Sequence, residues 1–124
     1  MGYMVHHAII VTCFDEKDAK YCRDKAVEIF DQGWTDPANK SVSLVGPIMV
    51  SKVNAYATFF IGPDGSKLGW SDSERGDECR KQYIEWLRSL REVDKMYADW
   101  VEVQYGDDNG DTRIVSDSDE NRRL

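Results

Sequence analysis

Residues 5–14 read Val-His-His-Ala-Ile-Ile-Val-Thr-Cys-Phe, rich in β-branched side chains and apolar on both alternating sets. A strand with that pattern belongs inside a sheet, covered on both faces or nearly so. The rest of the chain must supply neighbours for it. Asp15 offers an N-cap, and Ala19, Cys22, Ala26, Ile29 and Phe30 recur at three- and four-residue intervals between Lys, Arg, Asp and Glu. This predicts an amphipathic helix over 16–32, ended by Gly33.

A polar connection, 34–40, leads to a β-rich block over 42–61. Pro47 has no N–H for a ladder, so the first part of that block is an edge strand or is broken by a bulge at Gly46. Further on, Val53, Ala55, Ala57, Phe59 and Ile61 fall on one face, with Asn54, Tyr56, Thr58 and Phe60 on the other. Gly62-Pro-Asp-Gly-Ser is a turn, because Pro63 presets φ and Gly65 supplies a positive φ. A short strand over 67–70 follows it.

Ser71 and Glu74 match a capping box. Behind them Cys79, Tyr83, Trp86, Leu87 and Leu90 form an apolar stripe, which predicts a second helix to about residue 91. Residues 100–105 alternate, with Val101, Val103 and Tyr105 as the expected inward set, and a Gly-Asp-Asp-Asn-Gly-Asp turn closes a hairpin onto 112–115. The order is therefore β-α-β-β-(β)-α-β-β. It points to an α+β, ferredoxin-like sandwich: a mostly antiparallel sheet, two helices on one face and an added C-terminal hairpin. A parallel α/β layout is the alternative. With 124 residues, 41% of them apolar, the chain has room for one core. We expect a single domain over 1–115 and a polar, frayed tail over 116–124.

Sixteen Lys and Arg against 23 Asp and Glu leave a net charge of −7, which disfavours general nucleic-acid binding. No apolar run approaches the roughly 20 residues that cross a bilayer. His6 and His7 interrupt any secretory apolar region near Met1, so a cytoplasmic protein is expected. Cys13, Cys22 and Cys79 are odd in number and lack a Cys-x-x-Cys pair, so they read as reduced core thiols and not as a disulfide or zinc framework. No phosphate loop, nucleophile elbow or zinc-protease motif is present, and no cofactor is implied.

The only histidines, His6 and His7, are adjacent in a strand and must point to opposite faces, so they cannot jointly hold a metal there. The run from His7 to Thr12 invites comparison with two-histidine phosphoesterases, but position 9 is Ile and no second histidine element exists. Asp107, Asp108, Asn109 and Asp111 concentrate oxygen ligands, yet their spacing fails the calcium-loop pattern, leaving a solvated hairpin tip. The expected site is the open sheet face: Asn54, Tyr56 and Thr58, beside Phe60 and His7 or His6, with Lys67 and Trp70 at the adjoining turn. Lys52, Lys67 and Arg75 near the sheet ends would add anion contacts.

Across Gly62-Pro-Asp-Gly-Ser-Lys-Leu-Gly-Trp-Ser-Asp-Ser, the stretch Trp100-Val-Glu-Val-Gln-Tyr-Gly-Asp and Thr112-Arg-Ile-Val, the chain resembles small uncharacterised proteins of tailed bacteriophages. The likeness covers most of the chain but carries no catalytic residues over. It implies an accessory protein that acts by binding a host component. The expected function is accordingly a non-enzymatic binding protein for a host protein or a small nucleotide signal. Two alternatives stand beside it: a small enzyme acting on a nucleotide or sugar phosphate with a histidine base, and an oligomeric phage component.

Overall fold

The computed structural model describes residues 5–34, 43–65, 71–106 and 111–119. Its elements are β1 (His6–Cys13), α1 (Glu16–Trp34), β2 (Met49–Val50), β3 (Ala57–Ile61), α2 (Ser71–Ser89), a π-helical turn (Leu90–Asp94), β4 (Asp99–Tyr105) and β5 (Arg113–Asp117). The strands form one antiparallel sheet in the order β2-β3-β1-β4-β5. Each helix joins two strands that flank a third: α1 spans from β1 to β2 across β3, and α2 from β3 to β4 across β1. Two interlocked split β-α-β units with β5 added at one edge make the expected α+β sandwich.

The cross-strand register sorts the side chains. Ile9, Val11 and Cys13 of β1 stand beside Ile61, Phe59 and Ala57 of β3, and all six are buried under the helices. From α1 come Ala19, Cys22, Ala26, Ile29 and Phe30, and from α2 come Cys79, Tyr83, Ile84, Leu87 and Leu90. Large side chains buried this completely each contribute about 1.5–3 kcal/mol. The helices are also tied directly, since Tyr83 Oη donates to the Cys22 carbonyl at 2.8 Å and the Phe30 and Tyr83 rings meet edge-on at 6.0 Å.

Local chemistry places the ends. Asp15 Oδ1 accepts from the Asp18 N–H at 2.8 Å, so the N-cap forms as expected. Gly33 does not stop α1, which continues to Trp34. The Ser71 side chain of the expected capping box, the strand expected over 67–70 and most of the Asp-rich hairpin tip lie outside the described residues or side chains. At its other end α2 widens into the π-helical turn, which Lys95 closes in a left-handed conformation, its N–H on the Leu90 carbonyl.

Four expectations need correction. Val101, Val103 and Tyr105 pair with Ile10, Ala8 and His6 on the face away from the helices, while Trp100 pairs with Val11 and takes the core position. Both sets of β4 side chains include apolar residues, so alternation alone could not choose between them. Val53, Asn54 and Ala55 are not in a strand: they form the β2–β3 turn, where Asn54 and Ala55 have φ of 62° and 54° and Ser51 N–H bonds Tyr56 O at 2.8 Å. The domain does not end at residue 115, because β5 runs to Asp117 and Ser118 bonds Trp100 in both directions. Finally, β1 is central but its outer face is not covered, leaving Ile10 exposed. The edge-strand reading around Gly46 and Pro47 does hold: Val45 bridges Ile61, the chain breaks step, and Met49–Val50 resumes the pairing.

Candidate functional site

The two faces of the sheet present two different surfaces. On the face without helices, rows of side chains run across the strands: Phe60, Ile10 and Val101, then Thr58, Thr12 and Asp99, then Ala8, Val103 and Ile114. Ile10 is 40% exposed, Phe60 45% and Ile114 56%, so this face leaves apolar side chains open. At one end of this face Phe14 lies between Tyr56 and Tyr97, with ring centroids 5.7 and 6.3 Å apart. Thr12 and Thr58 share a hydrogen bond of 2.9 Å across the strands. A shallow groove over β4 and β5 is lined by Ile10, Thr12 and Ile114 together with Asp99, Asp117 and Asp119. This surface is therefore an apolar and aromatic band with an acidic margin.

The helix-bearing face is not fully covered either. Beyond Trp100 the sheet extends past α2, and His7, Glu102 and Gln104 form the floor of a cleft whose walls are α2 and β5. Burial, and secondarily the Arg80 guanidinium, lower the His7 pKa from its ordinary 6.5, so the ring is neutral at neutral pH. His6 lies on the opposite face with its ring 5.2 Å from that of Tyr105, as adjacency in a strand requires. The two histidines act on separate surfaces.

The expected site residues thus do not form one site. Tyr56 and Thr58 belong to the open face, Asn54 sits in the β2–β3 turn, and His7 is on the other face at the far end of β1. Lys67 and Trp70 lie outside the described residues. Lys52 is in the same exposed turn as Asn54, and Arg75 is exposed on α2. Sequence reading missed the acidic margin and the α2 side of the cleft, where Asp77, Arg80, Lys81, Ile84 and Arg88 recur at helical spacing. That spacing was legible, but it reads as a solvated helix face until β5 is placed opposite it.

The cysteines hold no site. Cys13 donates to Cys22 Sγ at 3.9 Å, and that contact together with burial pushes the Cys22 thiol far up. Burial likewise raises Cys79, whose thiol faces the Ile29 carbonyl at 3.7 Å. All three are free, buried thiols, and the raised Cys22 and Cys79 are not poised as thiolate nucleophiles. Among the described residues no group of His, Cys, Asp and Glu is arranged to hold a metal ion, and no helix is long and apolar enough to cross a membrane. The chain matches no protein-family model, no curated protein and no solved structure.

Proposed function

We propose that the protein is a binding protein whose open sheet face docks a partner protein presenting an apolar anchor ringed by Lys and Arg. The observation that carries this reading is the exposure of Phe60 beside Ile10, with Ile114 across β4 from them, on a sheet with helices on its other face only. Desolvating such a band drives association, and the adjoining aromatics supply large contact area with little conformational freedom to lose. The exposed Asp99 and Asp119, beside the buried Asp117 and on a chain of net charge −7, select a basic rim and steer its approach. A second copy of the chain fits less well, because it would bring acidic margins and like net charges together. For a chain similar to small phage proteins, the partner would be a host protein.

The test uses immobilised protein, as wild type and as the Ile10→Asp/Phe60→Asp double variant, to retain a partner that is then purified and titrated back. We expect a defined complex that weakens with added salt, is lost in the double variant and survives Lys81→Glu on the other face. Failure of every retained protein to rebind when pure, equal binding by the double variant, or self-association through these residues in light scattering would each overturn the reading.

A further inference from the structure

The cleft between α2 and the β4–β5 hairpin is a second recess, on the face opposite the open one. Its volume is about 460 Å³, within the range of small-molecule pockets. Its lining carries four permanent cations, Arg80, Lys81, Arg88 and Arg113, against two carboxylates, Asp77 and Glu102. Asp64 on Arg80 and Asp111 on Arg113 add two carboxylates at its border, so the charges balance overall, and Lys81, Arg88 and Arg113 are its exposed cations.

The neighbours of these groups separate those that hold the wall from those available to a ligand. Arg80 is buried and fixed by Asp64 at 3.2 Å and Asp77 at 2.5 Å, so it is part of the frame. Arg88 lines the cleft with its guanidinium over the Trp100 ring at 6.0 Å. Arg113 is exposed and meets Asp111 at 3.3 Å, a solvated pair that a stronger anion can displace. Lys81 makes no ion pair, and the His7 ring no hydrogen bond, among the described residues. On the floor, Glu102 is engaged by the Ser116 hydroxyl at 2.9 Å and the Gln104 amide by the Asp111 carbonyl at 2.9 Å. His7, Gln104 and Arg113 stand in one row across three strands. Ile84 and Val115 add an apolar patch.

We propose that this cleft binds a small organic phosphate, a phosphomonoester the size of a nucleoside monophosphate. Lys81, Arg88 and Arg113 hold the phosphate, His7 hydrogen-bonds the ligand, and Ile84 and Val115 contact its organic part. A phosphomonoester dianion suits these residues because guanidinium forks pair with its oxygens and its charge outweighs that of Asp111. The apolar patch favours an ester over the bare ion.

Calorimetric titration of the whole protein at pH 7.5 and low salt tests this with adenosine monophosphate, glucose 6-phosphate, inorganic phosphate, citrate and adenosine. At least one phosphomonoester should bind one per chain, at least tenfold more tightly than inorganic phosphate or citrate, with adenosine silent. Lys81→Glu and Arg113→Glu, both at exposed positions, should each weaken it tenfold or more, while Ile10→Asp/Phe60→Asp should leave it unchanged. Absence of binding at millimolar ligand, equal affinity for inorganic phosphate or citrate, or indifference to both charge reversals would overturn the assignment. Because its variants differ from those of the open face, either reading can fail alone.

Discussion

Gly76 shows how one position can be set by a contact outside its own element. Glycine inside a helix costs about 1 kcal/mol relative to alanine, yet a Cβ here would overlap the Asp64 carboxylate that pairs with buried Arg80. Gly76→Ala should therefore lower stability, by about 1–3 kcal/mol, where an ordinary helical site would gain; denaturant unfolding measures the sign. His7 gives a second residue-scale expectation. Its folded-state pKa is lowered by burial and by Arg80, against smaller opposing effects from Asp77, Glu102 and Asp64. The unfolded chain therefore binds the proton more readily, so the stability His7 permits is full above pH 6.5 and is lost as pH falls from there through the folded value. His7→Gln should flatten this part of the stability profile, and unfolding between pH 5 and 8 at fixed salt would show no flattening if the ring were solvated.

Among the elements, β5 is longer than its composition suggests. A chain ended after residue 115 loses Asp117 and the two-way bonding of Ser118 to Trp100, together with the Ser116 hydroxyl on Glu102. It should be about 3 kcal/mol less stable than a chain ended after residue 119, at roughly 1 kcal/mol for each hydrogen bond lost. Equal stability of the two would place β5 outside the cooperative unit. The helix pair makes a different prediction. Cys22 and Cys79 sit at its centre with raised pKa values, and Cys13 lies beneath. A thiol reagent should leave the native protein nearly unmodified and label all three cysteines on unfolding, at a rate that follows global opening.

For the molecule as a whole, two helices can roof only part of a five-stranded sheet. One face is left bare, and on the other face β4 and β5 protrude beyond α2 to form the cleft. Substituting Ile10 and Phe60 with Asp should reduce binding of a hydrophobic dye to the native protein with only a small shift in Tm, since both side chains are about half exposed already. A large drop in Tm would instead mean that the face is part of the core.

Residues near one another in the chain were decided by the sequence: both helices, the Asp15 cap, the central place of β1, the edge strand broken near Pro47, the opposed histidines and the buried cysteines all follow from periodicity and backbone chemistry. The side of β4 that faces inward did not follow, because Trp100 and Val101 are both apolar neighbours and only the pairing with Val11 and Ile10 separates them. The same limit hid the cleft, whose walls come from α2 and β5 and whose floor comes from β1 and β4. Alternation and helical spacing specify which side chains share a face; which faces meet, and which are left bare, is fixed only when the strands take their register and the helices their places.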